Sequence, residues 1–178
     1  MPARGERKVA FIIRAETETD RAAVRAVNES AFGRPGEARL VDALRERVKP
    51  CVSLAAEEGG RVVGYIFFSP VSVESDEGVW AALGLGPMGV LPEYQGRGVG
   101  SELVRRGLSE CRRLGHEVVF VLGHARFYPR FGFTPAAAEG IGCEFPGHEE
   151  NFMVAELRPG ALAGRKGLVK YSPEFYGV

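Results

Sequence analysis

The chain has 178 residues, 45% of them hydrophobic, and its 23 Lys plus Arg are balanced by 23 Asp plus Glu. A length of this order fits one domain, residues 1–178, with a sizeable core, and zero formal net charge argues against a protein built to hold DNA or RNA through phosphates. No run approaches 18 apolar residues, so no membrane-spanning helix is expected, and Val9 to Ile13 is too short for a signal-peptide core.

Lys8 to Arg14 reads as a first strand. Thr17 and Asp20 stand at capping-box spacing, and a helix is predicted to about Phe32, broken by Gly33-Arg34-Pro35-Gly36. A second helix follows from about Glu37 to Val48, with Pro50 as its stop. Val52 to Glu57 and Arg61 to Val73 flank Gly59-Gly60 and read as a hairpin, with Gly64 marking a bulge or close packing. Val79 to Val90 is a further strand, interrupted by Gly84, Gly86, Pro87 and Gly89 and followed by a loop, Leu91 to Tyr94. The strongest helical pattern runs from Gly98 to Leu114, ended by Gly115. Glu117 to Leu122 is a compact apolar strand, so strand, helix and strand form a βαβ unit with parallel strands. A short helical piece is expected over 125–131, an extended loop over 135–150, and late strands at Phe133, 151–157 and 168–171. The class is α/β with mixed strand directions.

Basic side chains are mostly arginine, 19 against four lysines, a bias that fits a GC-rich genome. Cys51, Cys111 and Cys143 are an odd, widely spaced set, which fits a reducing cytosol and offers neither a disulfide framework nor a zinc site. Cys111, Trp80 and the Phe67-Phe68 pair read as core. Glycine is the outlier, at 24 residues against an average near 7%. Its densest use is Gln95-Gly96-Arg97-Gly98-Val99-Gly100-Ser101, between a strand and the strongest helix. Unpaired N–H groups and the dipole of a helix N-terminus favour phosphate there; the bland alternative is a tightly packed turn. Gly84-x-Gly86-x-x-Gly89 matches a dinucleotide pattern, but Pro87 lies inside it and no helix follows, so it is a decoy. No lysine follows the glycines as a P-loop requires, and G-x-S-x-G is absent.

Gln95, Gly98 and Gly100 fit the signature of the GCN5-related N-acetyltransferase (GNAT) superfamily, which the chain resembles. Phe127-Tyr128-Pro129-Arg130-Phe131-Gly132-Phe133 resembles that superfamily's aromatic segment after the fifth strand. Ala31-Phe32-Gly33 with Glu37, Leu40 and Val41, then Leu85-Gly86-Pro87, resemble its bacterial YhbS-like branch, and the similarity spans roughly residues 9–176. The resemblance implies a mixed, mostly antiparallel sheet flanked by helices, with strands 4 and 5 parallel and splayed. It implies acetyl-CoA as cosubstrate, no metal, and a cytoplasmic monomer or homodimer that binds neither nucleic acid nor membrane. The backbone around Gly96, Gly98, Val99, Gly100 and Ser101 would hold the pyrophosphate, with Gln95 ordering the loop and Arg97 adding charge. Met88, Gly89 and Val90 would pair with the pantetheine arm, the Met88 N–H donating to the thioester oxygen.

Acetyl transfer needs a neutral amine, a polarised carbonyl and a proton or compensating charge for the departing thiolate. Tyr128 matches the family's general acid; its alternative is a packed core ring. For the base we weigh Glu37, His124 and Glu93, in that order, against structural roles for each: a helix-dipole partner, a hydrogen-bonded histidine and a solvated loop carboxylate. The helices over 19–48 and the loop over 135–150 are expected to shape the acceptor cleft. The chain is thus read as an N-acetyltransferase acting on a primary amine, the alternative being a non-catalytic acyl-CoA sensor on the same fold.

Overall fold

Arg61 to Ser75 is the spine of the molecule. This 15-residue strand, β3, is rich in Val, Phe and Ile and mostly buried. The computed structural model describes residues 11–49 and 52–178, so Lys8 to Ala10, Pro50 and Cys51 lie outside it. Around β3 the chain lays down β1 (Ile12–Ala15), helices α1 (Arg21–Phe32) and α2 (Gly36–Arg47), β2 (Val52–Glu58) and β4 (Gly78–Val90). Then come α3 (Val99–Arg113), β5 (Val118–Leu122), β6 (Thr134–Pro135), β7 (Ile141–Cys143), β8 (Phe152–Glu156) and β9 (Gly167–Lys170). One sheet results, in the order β1-β2-β3-β4-β5-β8-β6, with β9 pairing β3 beyond the end of β2. Every pair is antiparallel except β4 with β5 and β7 with β9. This is the mixed α/β sheet expected, with strands 4 and 5 parallel.

Alternation along β3 assigns the two faces. Gly64, Ile66 and Phe68 face α3: a Cβ on Gly64 would stand 2.9 Å from Val99 Cγ1, and one on Gly107 would overlap the Phe68 ring. Helix and sheet therefore approach as closely as glycine permits. Tyr65 and Phe67 face the other way, toward α1 and α2, where Asn28 and Ala31 close over Gly89 and Arg45 lies over the Tyr65 ring. Both faces bury large aromatics, and Phe67, Phe68 and Cys111 are at most 1% exposed.

Local chemistry explains the element ends. The Asp20 carboxylate accepts from the Thr17 N–H at 2.7 Å and hydroxyl at 2.9 Å, and pairs with Arg14 at 2.7 Å. Gly33 ends α1 in the left-handed region at φ 68°. Helix α2 stops at Arg47, ahead of Pro50. The structure departs from expectation in residues 135–150. That stretch is not an extended loop: it holds a 3-10 turn, Ala136–Glu139, and β7, which seats the buried Ile141 beside β9. Three residues are too few to show a period of two. Over 125–131 only Tyr128–Phe131 is helical, as a 3-10 turn, and the strand expected at Phe133 is Thr134–Pro135. Among the described residues no helix is long and apolar enough to cross a membrane.

The bulge in β4 positions the site. Leu85 pairs with Phe68 and Met88 with Ile66, so Gly86 and Pro87 together oppose the single residue Phe67. An extra residue bends a strand and ends pairing on its other edge. β4 pairs with β5 through Leu83, Gly84 and Leu85 and no further.

Candidate active site

Where β4 and β5 part, a cleft of about 970 Å³ opens. Leu85 to Val90 form one wall and Leu122, Gly123, His124 and Tyr128 the other. Ala31, Phe32 and Glu37 close one end, and Gly96, Gly98, Gly100 and Ser101 line the opposite end. Residues 135–150 take no part in the lining.

The backbone of β4 is turned into this cleft. Leu91 donates its N–H to the Val63 carbonyl at 2.9 Å. An antiparallel ladder alternates, so with Val90 opposite Gly64 and Met88 opposite Ile66, both Met88 and Val90 direct their N–H and C=O away from β3. β5 has already left that side. The Val90 carbonyl is taken by Gln95 Nε2 at 3.0 Å, which ties the glycine loop to the strand. The N–H of Met88, its carbonyl and the N–H of Val90 stay open to the cleft.

Gly96 and Gly98 adopt φ of +71° and +84°, a region costly for residues with a Cβ. Gly98 caps α3, and its carbonyl accepts from the Glu102 N–H at 3.0 Å. The N–H groups of Val99, Gly100 and Ser101 precede the first helical hydrogen bond and lack an intrahelical partner. The Val99 side chain is buried against Gly64, so only its backbone is available to a ligand. Arg97 is committed elsewhere: its guanidinium stands 3.6 Å from Glu58 and 4.6 Å over the Tyr94 ring, and it does not line the cleft.

Tyr128 is 6% exposed yet lines the cleft. Its ring packs flat on Gly123, where a Cβ would collide with it, and meets Phe127 and Phe133 edge-on at centroid distances of 5.0 and 5.5 Å. Burial pushes the phenol up to about 12. Glu37, at the start of α2, is 6% exposed and faces the same cleft. Arg34 gives it three hydrogen bonds, of 2.5, 3.1 and 3.2 Å. Two N–H groups make these contacts, because the single Nε–H is shared between the two carboxylate oxygens, so the carboxylate keeps acceptor capacity for an incoming donor. His124 lines the cleft, and its carbonyl holds the turn by accepting from Phe127 and Tyr128 N–H at 2.9 and 3.4 Å. Glu93 sits outside the cleft, exposed and paired with Arg61 at 3.0 Å; its own backbone N–H first, then Arg61, hold its carboxyl below the usual range.

Sequence reasoning missed Arg126, Phe127 and Arg130 as cleft residues. They lie on a turn without periodicity; the one signal available was two arginines spaced two residues either side of Tyr128.

Comparison with known proteins agrees with this geometry. A family model described as acetyltransferase (GNAT) domain matches residues 12–136. The chain is 37% identical over 166 residues to YhbS, an uncharacterized N-acetyltransferase of Escherichia coli strain K12, covering 93% of this chain and 98% of that protein. The fold matches the crystal structure of Escherichia coli YhbS in complex with CoA, with a TM-score of 0.88, 35% identity, and coverage of 94% and 93%. It also matches a GNAT family acetyltransferase from Brucella melitensis in complex with acetyl-CoA, with a TM-score of 0.76, 34% identity, and coverage of 94% and 99%. With a family match over most of its length and relatives above 30% identity across nearly all of it, the chain belongs to the GNAT family of acetyltransferases.

Proposed function

We propose that the protein moves an acetyl group from acetyl-CoA directly to a primary amine, and that the residues lining the cleft between β4 and β5 carry this out. The observation that carries the reading is the unpaired edge of β4 at Met88 and Val90, set between the N–H groups that open α3 and the phenol of Tyr128. The relatives crystallised with CoA and acetyl-CoA support it.

The residues present fit this cosubstrate. The N–H groups of Val99, Gly100 and Ser101, with Gly96 and Gly98 clearing the approach, suit a pyrophosphate. The open N–H and C=O groups of Met88 and Val90 suit the amides of the pantetheine arm, which would lie along β4 as an added strand. Bound acetyl-CoA supplies the acetyl thioester. The Met88 N–H donates to the thioester oxygen, where negative charge develops.

Magnitudes assign the role of Tyr128. At a pKa of about 12 its hydroxyl keeps its proton at neutral pH. A thiol of ordinary acidity sits near 8.5, so complete transfer to a thiolate is uphill by roughly three and a half pKa units. Tyr128 therefore acts chiefly as a hydrogen-bond donor to the departing sulfur, an interaction of roughly 1.5–3 kcal/mol when one partner is charged. On the other side, an amine of ordinary basicity, near 10.4, is neutral in roughly one molecule in 2,500 at pH 7. Glu37 is our choice for accepting the surplus proton, because it lines the cleft and Arg34 fixes its orientation. Replacement of Glu37 by Gln tests this: the acid limb of the pH–rate profile shifts or vanishes if Glu37 is the base, and an unchanged profile removes it in favour of His124.

A further inference from the structure

We propose that Arg126 and Arg130 form a receptor for the ribose 3′-phosphate of the acyl donor, making the protein selective for coenzyme A over its dephosphorylated form; this rests on the cofactor reading above. A coenzyme A molecule brings roughly four negative charges, two on the pyrophosphate and up to two on the phosphomonoester. A helix N-terminus offers roughly half a positive charge. Arg97, the cation inside the glycine loop, is held by Glu58 and Tyr94. Among the described residues, the arginines on the cleft wall are Arg126 and Arg130, and neither has a carboxylate partner.

Their placement fits the nucleotide end of the donor. The Phe127 ring reaches to 3.7 Å from where a Cβ of Gly100 would stand, so it borders the first turn of α3. The Arg130 guanidinium lies 4.9 Å over that ring, and its Nη2 donates to the Arg126 carbonyl at 3.4 Å. Stacking on Phe127 holds Arg130 at the rim, with several N–H groups left to give. Both side chains are exposed, as suits a group at the outer end of a ligand whose thioester is buried.

The test is the affinity of coenzyme A and dephospho-coenzyme A, by calorimetry, for the parent protein, Arg126→Gln, Arg130→Gln and the double variant. Arg106→Gln, an exposed change of equal charge on α3, is the control. A charge-assisted hydrogen bond is worth about tenfold or more in affinity. The parent is expected to bind coenzyme A about tenfold more tightly than the dephosphorylated form. The double variant is expected to lose that factor toward coenzyme A while binding the dephosphorylated form as the parent does. Equal losses toward both ligands would assign the arginines to the pyrophosphate or to folding and overturn the proposal. Equal affinity of the parent for both would overturn it while leaving the cofactor reading intact. Failure of the parent to bind either form would remove the cofactor reading itself.

Discussion

Tyr128 is held by three aromatic and glycine contacts, yet its hydroxyl opens to the cleft. Tyr128→Phe keeps the packing and removes the donor, so turnover should fall by up to about a hundredfold, the worth of a hydrogen bond to a charged partner, with acetyl-CoA affinity nearly unchanged. Steady-state kinetics beside calorimetry separates the two. The same burial has a consequence for stability. Below pH 10 the phenol is protonated in both folded and unfolded chains, and its contribution is constant. Between about pH 10 and the folded value of about 12 the unfolded chain releases a proton that the folded chain keeps, so roughly 3 kcal/mol is lost as pH rises through that window. The urea midpoint of the parent should therefore fall relative to that of Tyr128→Phe from pH 9 to pH 11.5; a constant difference would contradict it. Tyr128 was legible in the sequence because it sits in a dense aromatic motif. The Arg34 pairing of Glu37 and the diversion of Arg97 onto Tyr94 and Glu58 were not, because each depends on where a flexible side chain finds its partner after folding.

At the scale of elements, Gln95 and the loop it anchors join β4 to α3. Gly98→Ala forces a Cβ into the left-handed region, a strain of about 1–2 kcal/mol, and should raise the Kd for acetyl-CoA far more than it lowers the melting temperature. Away from the cleft, Glu16 receives hydrogen bonds from Arg45, Ser53 and, at 2.9 Å, Tyr65, and ties α2 to β2 and β3. Its ion pair with Arg45 is nearly buried, at 8% and 12% side-chain exposure. Glu16→Ala takes the acceptor from the Ser53 and Tyr65 hydroxyls and leaves Arg45 with Asp42 alone, at 2.7 Å; it should cost about 1–3 kcal/mol, read as a shifted urea midpoint, with the affinity of the folded protein for acetyl-CoA unchanged. Long elements were readable from their periods: α3 and β3 lie within two residues of where hydrophobic spacing and glycine punctuation put them. β6 and β7, two and three residues long, carry no period and are fixed by pairing with β8 and β9.

At the scale of the whole molecule, a two-for-one bulge at Gly86-Pro87 opens a sheet that would otherwise close, and the cleft is where the sheet fails to zip. The glycines that seemed in surplus are spent on two tasks. Some let helices press against the sheet, as at Gly64 and Gly107, and others leave backbone N–H groups bare, as at Gly96 and Gly98. Zero net charge is compatible with phosphate binding because a few N–H groups and two local arginines suffice. The most direct test is acetyl-CoA-dependent release of free thiol across a panel of primary amines, run with the parent and with Tyr128→Phe at equal occupancy by acetyl-CoA. The account predicts release matched by amide formation on at least one amine, reduced by up to about a hundredfold in the variant. Tight binding of acetyl-CoA with no amide on any amine, or equal turnover by the two proteins, would contradict it.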